Sequence, residues 1–149
     1  MKLTKRDMSL IKCLRENSRM SLTEISKKTK IPISTLYDRL RLQQKQLGLK
    51  HTTILNFKDF GFGTKAHIFL KSNITDRSKL ENYLKFNDHV NSLFKSTNRF
   101  DFIVEGVFKE VEEVDSFLED LEKRFPSIQY DTHFIVKDLL RESFLKLNN

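Results

Sequence analysis

The first fifty residues contain three segments with the spacing of short amphipathic helices, and the last two of them are only a few residues apart. The middle segment begins with Ser21 and has Glu24 three positions later, which is the pattern of a capping box. The third begins at Pro32, whose fixed φ suits the first turn of a helix. A link as short as residues 29–31 leaves two capped helices little freedom, and this pattern predicts a helix-turn-helix.

The first helix is predicted to begin at Thr4, whose hydroxyl can accept a free backbone N–H of the first turn. Asp7 follows three positions later, where a negative charge suits the helix dipole. Apolar residues recur at helical spacing in all three segments and predict a small core rich in Leu and Ile. Its members are Met8, Leu10, Ile11 and Leu14 in the first helix, Met20, Leu22 and Ile25 at the second, and Ile33, Leu36 and Leu40 in the third.

The other side of the third helix is predicted to be polar and cationic. Arg41 is suited to bond guanine through two hydrogen bonds, and Asp38 either accepts from cytosine or orients Arg41. A solvated face without a partner has the same spacing, but the tight link to a capped helix favours a helix that enters the DNA major groove. The residues of this side are Ser34, Asp38, Arg41 and Lys45, flanked by Thr35 and Tyr37.

Charge is distributed unevenly along the 149 residues. Residues 1–62 contain 14 Lys and Arg against 5 Asp and Glu, whereas residues 63–149 contain 13 against 15. The first part is therefore suited to meet a polyanion and the second is not. All 13 Phe lie at Phe57 or later, so composition changes at the same place. We predict a DNA-binding domain at 1–50, a connecting strand or linker at 51–63 and a second domain at 64–149.

Strand and helix patterns alternate after Gly48. His51–Phe57 has the composition of a strand, which predicts a wing or a strand that joins two subunits. The elements that follow have the order β-α-β-β-α-β, which predicts a ferredoxin-like domain and an α+β chain. They are strand Lys65–Lys71, helix Asp76–Lys85, strands His89–Thr97 and Phe100–Phe108 with a turn at Asn98–Arg99, helix Val111–Phe125 and strand Gln129–Val136. A last helix is predicted over Leu139–Asn149, to pack either on a partner subunit or on its own domain.

Two helices can cover only one face of the predicted sheet. The other face would carry His67, Phe69 and alternate residues of the remaining strands, several of them apolar. Left in water, that face would be a large apolar patch, so we expect a second copy of the chain to cover it. A homodimer would present two recognition helices about one DNA turn apart, or a multiple of it, which predicts an imperfectly palindromic operator.

Residues 3–42 resemble the winged helix-turn-helix of the leucine-responsive regulatory protein / asparagine-synthase regulator (Lrp/AsnC) family. The resemblance is carried by Leu3 with Asp7, and by the stretches NSRMS at 17–21, EIS at 24–26 and STLYDR at 34–39. The sequence QQKQ at 43–46 departs from the family pattern at the exit of the third helix. The family's effector-binding module, called RAM, has the same β-α-β-β-α-β order. The resemblance implies a transcriptional regulator that binds double-stranded DNA as a homodimer or as a higher oligomer up to an octamer.

The resemblance also implies site residues. The family has a T-G-x-[YF]-D hairpin that lines an amino-acid effector site formed where dimers meet, and this chain has Asn98 in place of the Gly. The corresponding effector-site candidates are Thr97, Asn98, Phe100 and Asp101, with Thr132; a simple hairpin with a solvated Asp101 is the alternative. The resemblance also implies DNA contacts at Ser34, Thr35, Tyr37, Asp38, Arg39 and Arg41. The further candidate DNA contacts are Ser21, Thr23, Lys27, Lys28, Ile33 and Lys45.

The sequence lacks the usual signatures of catalysis. It has no Gly-rich phosphate loop, no Cys pair and no H-E-x-x-H motif, and its four His are scattered, so we expect no cofactor, no metal and no catalytic residue. Cys13 is the only cysteine, which excludes an intrachain disulfide. No apolar run approaches the ~20 residues of a membrane span, and no apolar signal segment is present, so we expect a cytoplasmic protein.

Two other functions stay open from the sequence. One is a chromatin-like protein that binds DNA with little sequence preference. The other is a haem-pathway decarboxylase, since certain such enzymes share the Lrp/AsnC architecture, although the second half has no Arg and His cluster to hold a tetrapyrrole.

Overall fold

A computed structural model describes residues 3–46 and 48–145 of the chain. The chain divides into two compact units, one formed by Met1–Ile54 together with Leu139–Asn149 and the other by Leu55–Asp138. No helix in the described ranges is both long enough and apolar enough to cross a bilayer.

The first unit begins with three helices, and the starts predicted for two of them are confirmed. Thr4 accepts the N–H of Asp7 while the Asp7 carboxylate accepts the N–H of Thr4 at 2.8 Å, which makes a capping box. Ser21 and Glu24 form the same reciprocal pair. Each box satisfies backbone donors that have no partner inside the helix. The helices are α1 (Lys5–Glu16), α2 (Leu22–Thr29) and α3 (Ile33–Gln46).

The link between α2 and α3 is a left-handed turn at Lys30. This residue has φ 60° and ψ 23°, and its N–H donates to the carbonyl of Ser26 at 2.8 Å. A residue in this conformation ends a helix within one position. The tight connection predicted between the two helices is therefore confirmed.

The core of the first unit is small and holds one side of α3. Leu36 and Leu40 lie on the inner side of α3, as predicted. Ile33 does not, because it is 47% exposed, and its assignment to the core was wrong. It lies about 60° around the helix from Leu36, at the margin of the buried side. The buried residues are Leu10, Cys13, Ile25, Ile31 and Leu36, with Leu14, Met20, Leu22 and Leu40 packed against them.

The segment that follows α3 is not a strand. Residues 51–56 are exposed and belong to no sheet, and Phe57–Phe60 forms a short 3-10 helix that ends at Gly61, where φ is 84°. The strand predicted at His51–Phe57 is therefore wrong for the single chain. Residues with high β propensity form a strand only beside another strand that supplies hydrogen-bond partners. The four strands of the described sheet pair with one another and not with this segment.

The second unit is the predicted β-α-β-β-α-β domain. Its four strands are ordered β2-β3-β1-β4, and each neighbouring pair is antiparallel. Every predicted element of this unit is present, with ends that differ by a few residues. The elements are β1 (Thr64–Lys71), α4 (Arg77–Lys85), β2 (Val90–Lys95), β3 (Phe102–Phe108), α5 (Val111–Arg124) and β4 (Gln129–Phe134).

Helices α4 and α5 cover one face of this sheet. Ile68 of β1 and Val104 of β3 are fully buried against apolar residues of both helices. Gly106 is required at its position, because a Cβ atom there would lie 2.5 Å from the ring of Phe108. The core comprises Ala66, Ile68, Leu70, Leu80, Leu84, Phe102, Val104, Phe108, Val114, Phe117, Leu118, Leu121 and Phe125.

The opposite face of the sheet, here called the open face, carries the alternate residues of the strands. Phe69 of β1 is in register with Ile103 of β3, and Ile103 is in register with Phe94 of β2. These three apolar residues form a row across the sheet, and Phe94 is 56% exposed. The one-sided sheet predicted from the sequence is therefore present.

The chain after the second unit does not form the predicted terminal helix. Residues 139–145 are not helical, and residues 146–149 of that prediction lie outside the described residues. Glu142 and Leu145 have φ values of 48° and 63°. Backbone in this region interrupts a right-handed helix, so the prediction was wrong for the described part.

Arg15 of α1 binds this terminal segment. Its guanidinium donates to the Glu142 carboxylate at 3.0 Å, to the Glu142 carbonyl at 2.8 Å and to the Phe144 carbonyl at 3.1 Å. In a helix, these backbone carbonyls would accept hydrogen bonds from N–H groups of the same helix. Here they accept from the Arg15 side chain instead. The segment therefore contacts α1 of its own chain.

Candidate nucleic-acid interface

The side of α3 that faces away from the core is polar and exposed. The exposed residues recur at intervals of three and four positions, so they lie along one side of the helix. Tyr37 is 57% exposed. The structure therefore brings these five predicted DNA contacts together on one surface, here called the outer face. Its residues are Ser34, Tyr37, Asp38, Arg41 and Lys45.

Helix α2 supplies further predicted contacts. Thr23, Lys27 and Lys28 are exposed. The Lys28 ammonium donates to the Glu16 carboxylate at 2.7 Å, and this hydrogen bond raises the pKa of Lys28. Lys28 therefore stays charged at neutral pH while it is tied to α1.

Ser21 is already used at the start of α2. Its hydroxyl accepts the N–H of Glu24 at 3.2 Å and donates to the Glu24 carboxylate at 2.7 Å. The Ser21 hydroxyl and the Ser21 backbone N–H both donate to the Glu24 carboxylate and hold its pKa below the ordinary value, with the hydroxyl as the larger cause. The Ser21 hydroxyl thus serves the helix cap.

Three predicted contacts lie away from the outer face. Ile33 is exposed at the first residue of α3, and Thr35 is half-buried at the edge of the helix. Arg39 is half-buried, and its Nη1 atom lies 3.6 Å from Oδ2 of Asp7. The Arg39 guanidinium therefore lies against the start of α1.

Asp7 is fully buried although it carries a carboxylate. Its Oδ2 atom accepts the N–H of Thr4 at 2.8 Å and the Thr4 hydroxyl at 2.6 Å, and its Oδ1 atom accepts Nε2 of Gln43 at 3.1 Å. Burial alone would raise the pKa of Asp7, but the hydrogen bonds from Thr4 and Gln43 and the charge of Arg39 together hold it below its ordinary value of 3.8. Asp7 is therefore ionised at neutral pH, and its partners stabilise that state.

The role of Gln43 was not predicted from the sequence. It is fully buried and lies on the same side of α3 as Leu36 and Leu40. Its spacing was the available signal, because Gln43 follows Leu36 by seven positions and Leu40 by three, and so continues the apolar side of the helix. A buried amide needs a partner, and Asp7 is the acid at the start of α1.

The hairpin between β2 and β3 contains four of the predicted effector-site residues. Asn98 has a φ of 78°, which Asn tolerates better than most residues with a side chain. The ring of Phe100 packs on Phe69 at 5.5 Å between centroids, and the Arg99 guanidinium lies 5.1 Å above the Phe100 ring. Thr97 is exposed. The tip of the hairpin is therefore accessible while Phe100 fixes its base.

Asp101 anchors the hairpin and is not solvated. It is 8% exposed; its Oδ2 atom accepts the N–H of Ser72 at 2.9 Å, and its Oδ1 atom lies 2.6 Å from Nη2 of Arg77. Its N–H also donates to the carbonyl of Leu70 at 2.8 Å. The carboxylate thus joins the hairpin to the end of β1 and the start of α4.

Thr132 and Phe100 lie on opposite faces of the sheet. Thr132 is on β4 in register with Ile68, whose side chain faces the helices. Phe100 contacts Phe69, which lies on the open face. Within one chain these two effector-site candidates therefore face away from each other.

The histidines of the open face have acidic neighbours. His67 and His133 are in register on β1 and β4, with His67 at 3.5 Å from Glu105 and His133 at 3.4 Å from Asp131. Within the parts of the chain that the structure describes, no group of three or more His, Cys, Asp or Glu residues is arranged to hold a metal ion.

Comparison with known proteins gives a family match at the start of the chain and relatives along most of its length. Residues 3–42 match a family model described as winged helix-turn-helix DNA-binding. The transcriptional regulator FL11 of Pyrococcus abyssi is 27% identical over 131 residues, which cover 87% of this chain and 85% of that protein. FL11 of Pyrococcus horikoshii is 28% identical over the same shares of the two chains.

Solved structures show the same fold along nearly the whole chain. Bacillus subtilis LrpC is 20% identical with a TM-score of 0.84, over 93% of this chain and 98% of LrpC. Escherichia coli AsnC is 14% identical with a TM-score of 0.85, over 97% of this chain and 99% of AsnC. A Neisseria meningitidis transcriptional regulator in complex with L-Met is 20% identical with a TM-score of 0.88, over 99% of this chain and 98% of that regulator.

The helix-turn-helix, its exposed outer face and the similarity to regulators along most of the chain define the class. The protein is a DNA-binding transcriptional regulator and not an enzyme, so the decarboxylase alternative is set aside. A helix-turn-helix followed by a RAM-type β-α-β-β-α-β domain is the architecture of the Lrp/AsnC regulators. The fold class drawn from the sequence is confirmed, and the resemblance to the Lrp/AsnC regulators extends to their fold.

We expect Asp7→Asn to destabilise the first unit by about 1–3 kcal/mol at pH 7, because a buried, charged acceptor loses hydrogen bonds. The folded-state pKa of Asp7 is lowered, so its contribution is complete above pH 3.8 and is lost as the pH falls through the folded-state value. The difference between the wild type and Asp7→Asn should therefore shrink below about pH 4. Hydrogen exchange of the α1 and α3 amides measures this difference at each pH.

Asp38→Asn is the matched control for this experiment, because it removes an exposed carboxylate from the same unit. We expect it to change stability by no more than about 0.5 kcal/mol. A difference between the wild type and Asp7→Asn that stays constant from pH 7 to about pH 3 would contradict the assigned role of the Asp7 charge.

Proposed function

We propose that the chain acts in the cytoplasm as a sequence-specific regulator that places one α3 helix per subunit of a homodimer in the DNA major groove. The two-sided character of α3 carries this proposal. Leu36 is buried in the core, while the outer face is exposed along the helix and includes Arg41 and Lys45. A helix of this kind fits a major groove about 12 Å wide.

The outer face contains the chemistry that base recognition needs. Arg41 is suited to donate two hydrogen bonds to guanine, and Tyr37 presents both a ring and a hydroxyl to the groove. Ser34 lies in the first turn of α3, where backbone N–H groups attract a phosphate. Lys27 and Lys28 of α2 are suited to neutralise phosphates as that helix crosses the backbone. Arg39 pairs with Asp7 in this proposal and does not contact a base.

The distribution of charge supports binding through the first unit. The 14 basic residues of positions 1–62 outnumber the 5 acidic ones there. Helix α5 in the second unit is acidic, with Glu112, Glu113, Glu119, Asp120 and Glu122 on its sequence. These fields steer a polyanion towards the helix-turn-helix and away from α5.

The open face of the sheet supports a homodimer. The row of Phe69, Ile103 and Phe94 is an apolar surface that α4 and α5 do not cover. Two such faces pack against each other as the sheets of a sandwich do, and a twofold axis makes the contact self-complementary. The same axis relates the two α3 helices, and it therefore requires an imperfectly palindromic operator.

An amino acid or another small effector is proposed to bind at the hairpin, where dimers meet in an assembly as large as an octamer. Thr97, Asn98 and Phe100 supply accessible polar and aromatic groups, and Asp101 holds them in place. Thr132 lies on the other side of the sheet and would come from a different chain. The L-Met complex of the N. meningitidis regulator supports this class of ligand.

The DNA-binding proposal predicts strong dependence on salt and sequence. A dimer that engages about six to ten phosphates should lose ~10³–10⁵ in affinity between 50 and 200 mM salt. Arg41→Ala should cost about 1–3 kcal/mol on a site selected from random DNA and much less on bulk DNA. Lys123→Ala is the charge-matched control, because it removes one positive charge from α5. Gel-shift titrations on selected and bulk DNA measure all these affinities.

Equal affinity of the wild type for selected and bulk DNA would favour the chromatin-like alternative. A flat response to salt would contradict contact with the phosphates altogether. An equal loss on both DNAs for Arg41→Ala would make Arg41 a phosphate contact.

The dimer proposal predicts that a charge on the open face separates the subunits. Phe94→Glu should shift the mass in sedimentation equilibrium to that of a single 17.7 kDa chain, because it buries an unpaired charge in the interface. Phe86→Glu is the control, since Phe86 is an exposed residue at the end of α4 and not on the sheet. A wild type that stays monomeric, or a Phe94→Glu variant that stays dimeric, would contradict the proposal.

The effector proposal predicts heat in calorimetric titrations against the twenty amino acids. Asn98→Gly should strengthen the binding, because glycine adopts the same φ and lets a ligand approach the backbone more closely. No heat with any amino acid, for either protein, would remove amino acids as effectors.

A further inference from the structure

A buried polar link joins the recognition helix to the start of the chain. Asp7 and Gln43 are both fully buried, and Nε2 of Gln43 donates to Oδ1 of Asp7 at 3.1 Å. Arg39 precedes Gln43 by one helical turn, and its Nη1 atom lies 3.6 Å from Oδ2 of the same carboxylate. Two successive turns of α3 therefore meet one carboxylate.

The same carboxylate is fixed at its other side. Oδ2 of Asp7 accepts the N–H of Thr4 at 2.8 Å and the Thr4 hydroxyl at 2.6 Å, within the capping box of α1. Asp7 cannot move along α3 without breaking that box. The carboxylate thus acts as a fixed point between the first turn of α1 and the inner side of α3.

The apolar contacts of α3 do not fix its position in the same way. Burial of Leu36 and Leu40 is favourable over a range of small rotations and shifts, because the hydrophobic effect has no direction. Hydrogen bonds weaken steeply with distance and angle. The bond from Gln43 and the ion pair from Arg39 therefore select one rotation and one axial position for α3.

The cost of the link argues against a role in stability alone. Oε1 of Gln43 is buried without a hydrogen-bond partner among the described residues, and an unpaired buried acceptor is destabilising. Apolar side chains of similar volume often replace buried polar groups without loss of stability, and the best-attested use of such groups is to set register. A role in setting the rotation and axial position of α3 would explain why a Gln occupies position 43.

We propose that Asp7 is a positioning residue which, through Gln43 and Arg39, sets the rotation and axial position of α3 and so decides which bases the outer face reads. The inference rests on the proposed function, since it concerns how the same helix reads DNA. Neither Asp7 nor Gln43 touches DNA in this scheme, because both are buried.

The test compares affinity for a selected DNA site with affinity for bulk DNA at one salt concentration. Gln43→Met keeps the volume of the side chain and the Thr4–Asp7 box but removes the directional bond to α3. We expect the ratio of the two affinities to fall by about tenfold or more, the effect of misplacing one base contact. Affinity for bulk DNA should stay within about threefold, because the cations of the outer face and α2 remain.

A polarity swap tests the link itself. In the double variant Asp7→Asn with Gln43→Glu, the amide of residue 7 donates to the new carboxylate, and Arg39 can pair with it one turn away. We expect this variant to recover the affinity ratio to within about threefold of the wild type, as a shared contact in a double-mutant cycle requires. Gln46→Met is the matched control, because Gln46 is an exposed Gln of the same helix, and it should leave the ratio unchanged.

The outcomes separate this inference from the function on which it rests. A wild type that selects no sequence overturns the proposed function and the positioning role together. A wild type that discriminates, with a folded Gln43→Met variant that discriminates equally well, overturns the positioning role only. If Gln43→Met fails to fold, a folded swap variant decides: recovered discrimination supports the inference, and lost discrimination overturns it.

Discussion

The burial of one side of α3 is the constraint on which the helix-turn-helix depends. Among the described residues, Leu36 belongs to a core of five buried apolar residues, and each Leu or Ile of that core contributes about 1.5–3 kcal/mol before the entropy of ordering is counted. A core of that size leaves little net free energy of unfolding once the entropy of ordering is subtracted. The two capping boxes and the Asp7 link supply directional contacts at the places where apolar contacts alone leave the helices free to rotate.

The second unit depends on a different constraint, which is a sheet with helices on one face only. Alternation along β1 buries Ala66, Ile68 and Leu70 and sends Lys65, His67 and Phe69 to the open face. The apolar row on that face gains nothing from its own helices. The proposed twofold dimer rests on this geometry, since in it the same surface meets itself.

The sequence was sufficient where local chemistry decides the structure. The start of α1 at Thr4, the capping box of α2, the turn after α2 and the order of strands and helices in the second unit were all predicted, because each follows from spacing or from turn residues. The strand at His51–Phe57 and, within the described residues 139–145, the terminal helix were wrong, because both depend on partners. The first segment has no neighbouring strand in the sheet, and the carbonyls of Glu142 and Phe144 in the second are bound by Arg15.

The candidate site shows the same division. The exposed residues of the outer face could be chosen by helical spacing, whereas Gln43 and Asp101 could not be given roles without their partners. Gln43 needs Asp7, which lies 36 residues earlier. Asp101 needs Ser72 and Arg77, which belong to other elements of the second unit. Long-range polar pairs of this kind leave no periodic signal in one sequence.

Arg39 and Arg41 show why a motif does not sort its residues by role. The sequence predicts both arginines as DNA contacts, one within the STLYDR stretch and one just beyond it. They are two positions apart, and so lie about 200° apart around α3. Since Leu36 and Gln43 fix which side is buried, only one of the two can face the groove. The contact of Arg39 with Asp7 favours Arg41 as the proposed DNA contact, and it gives the charge at position 39 the proposed role of holding the helix.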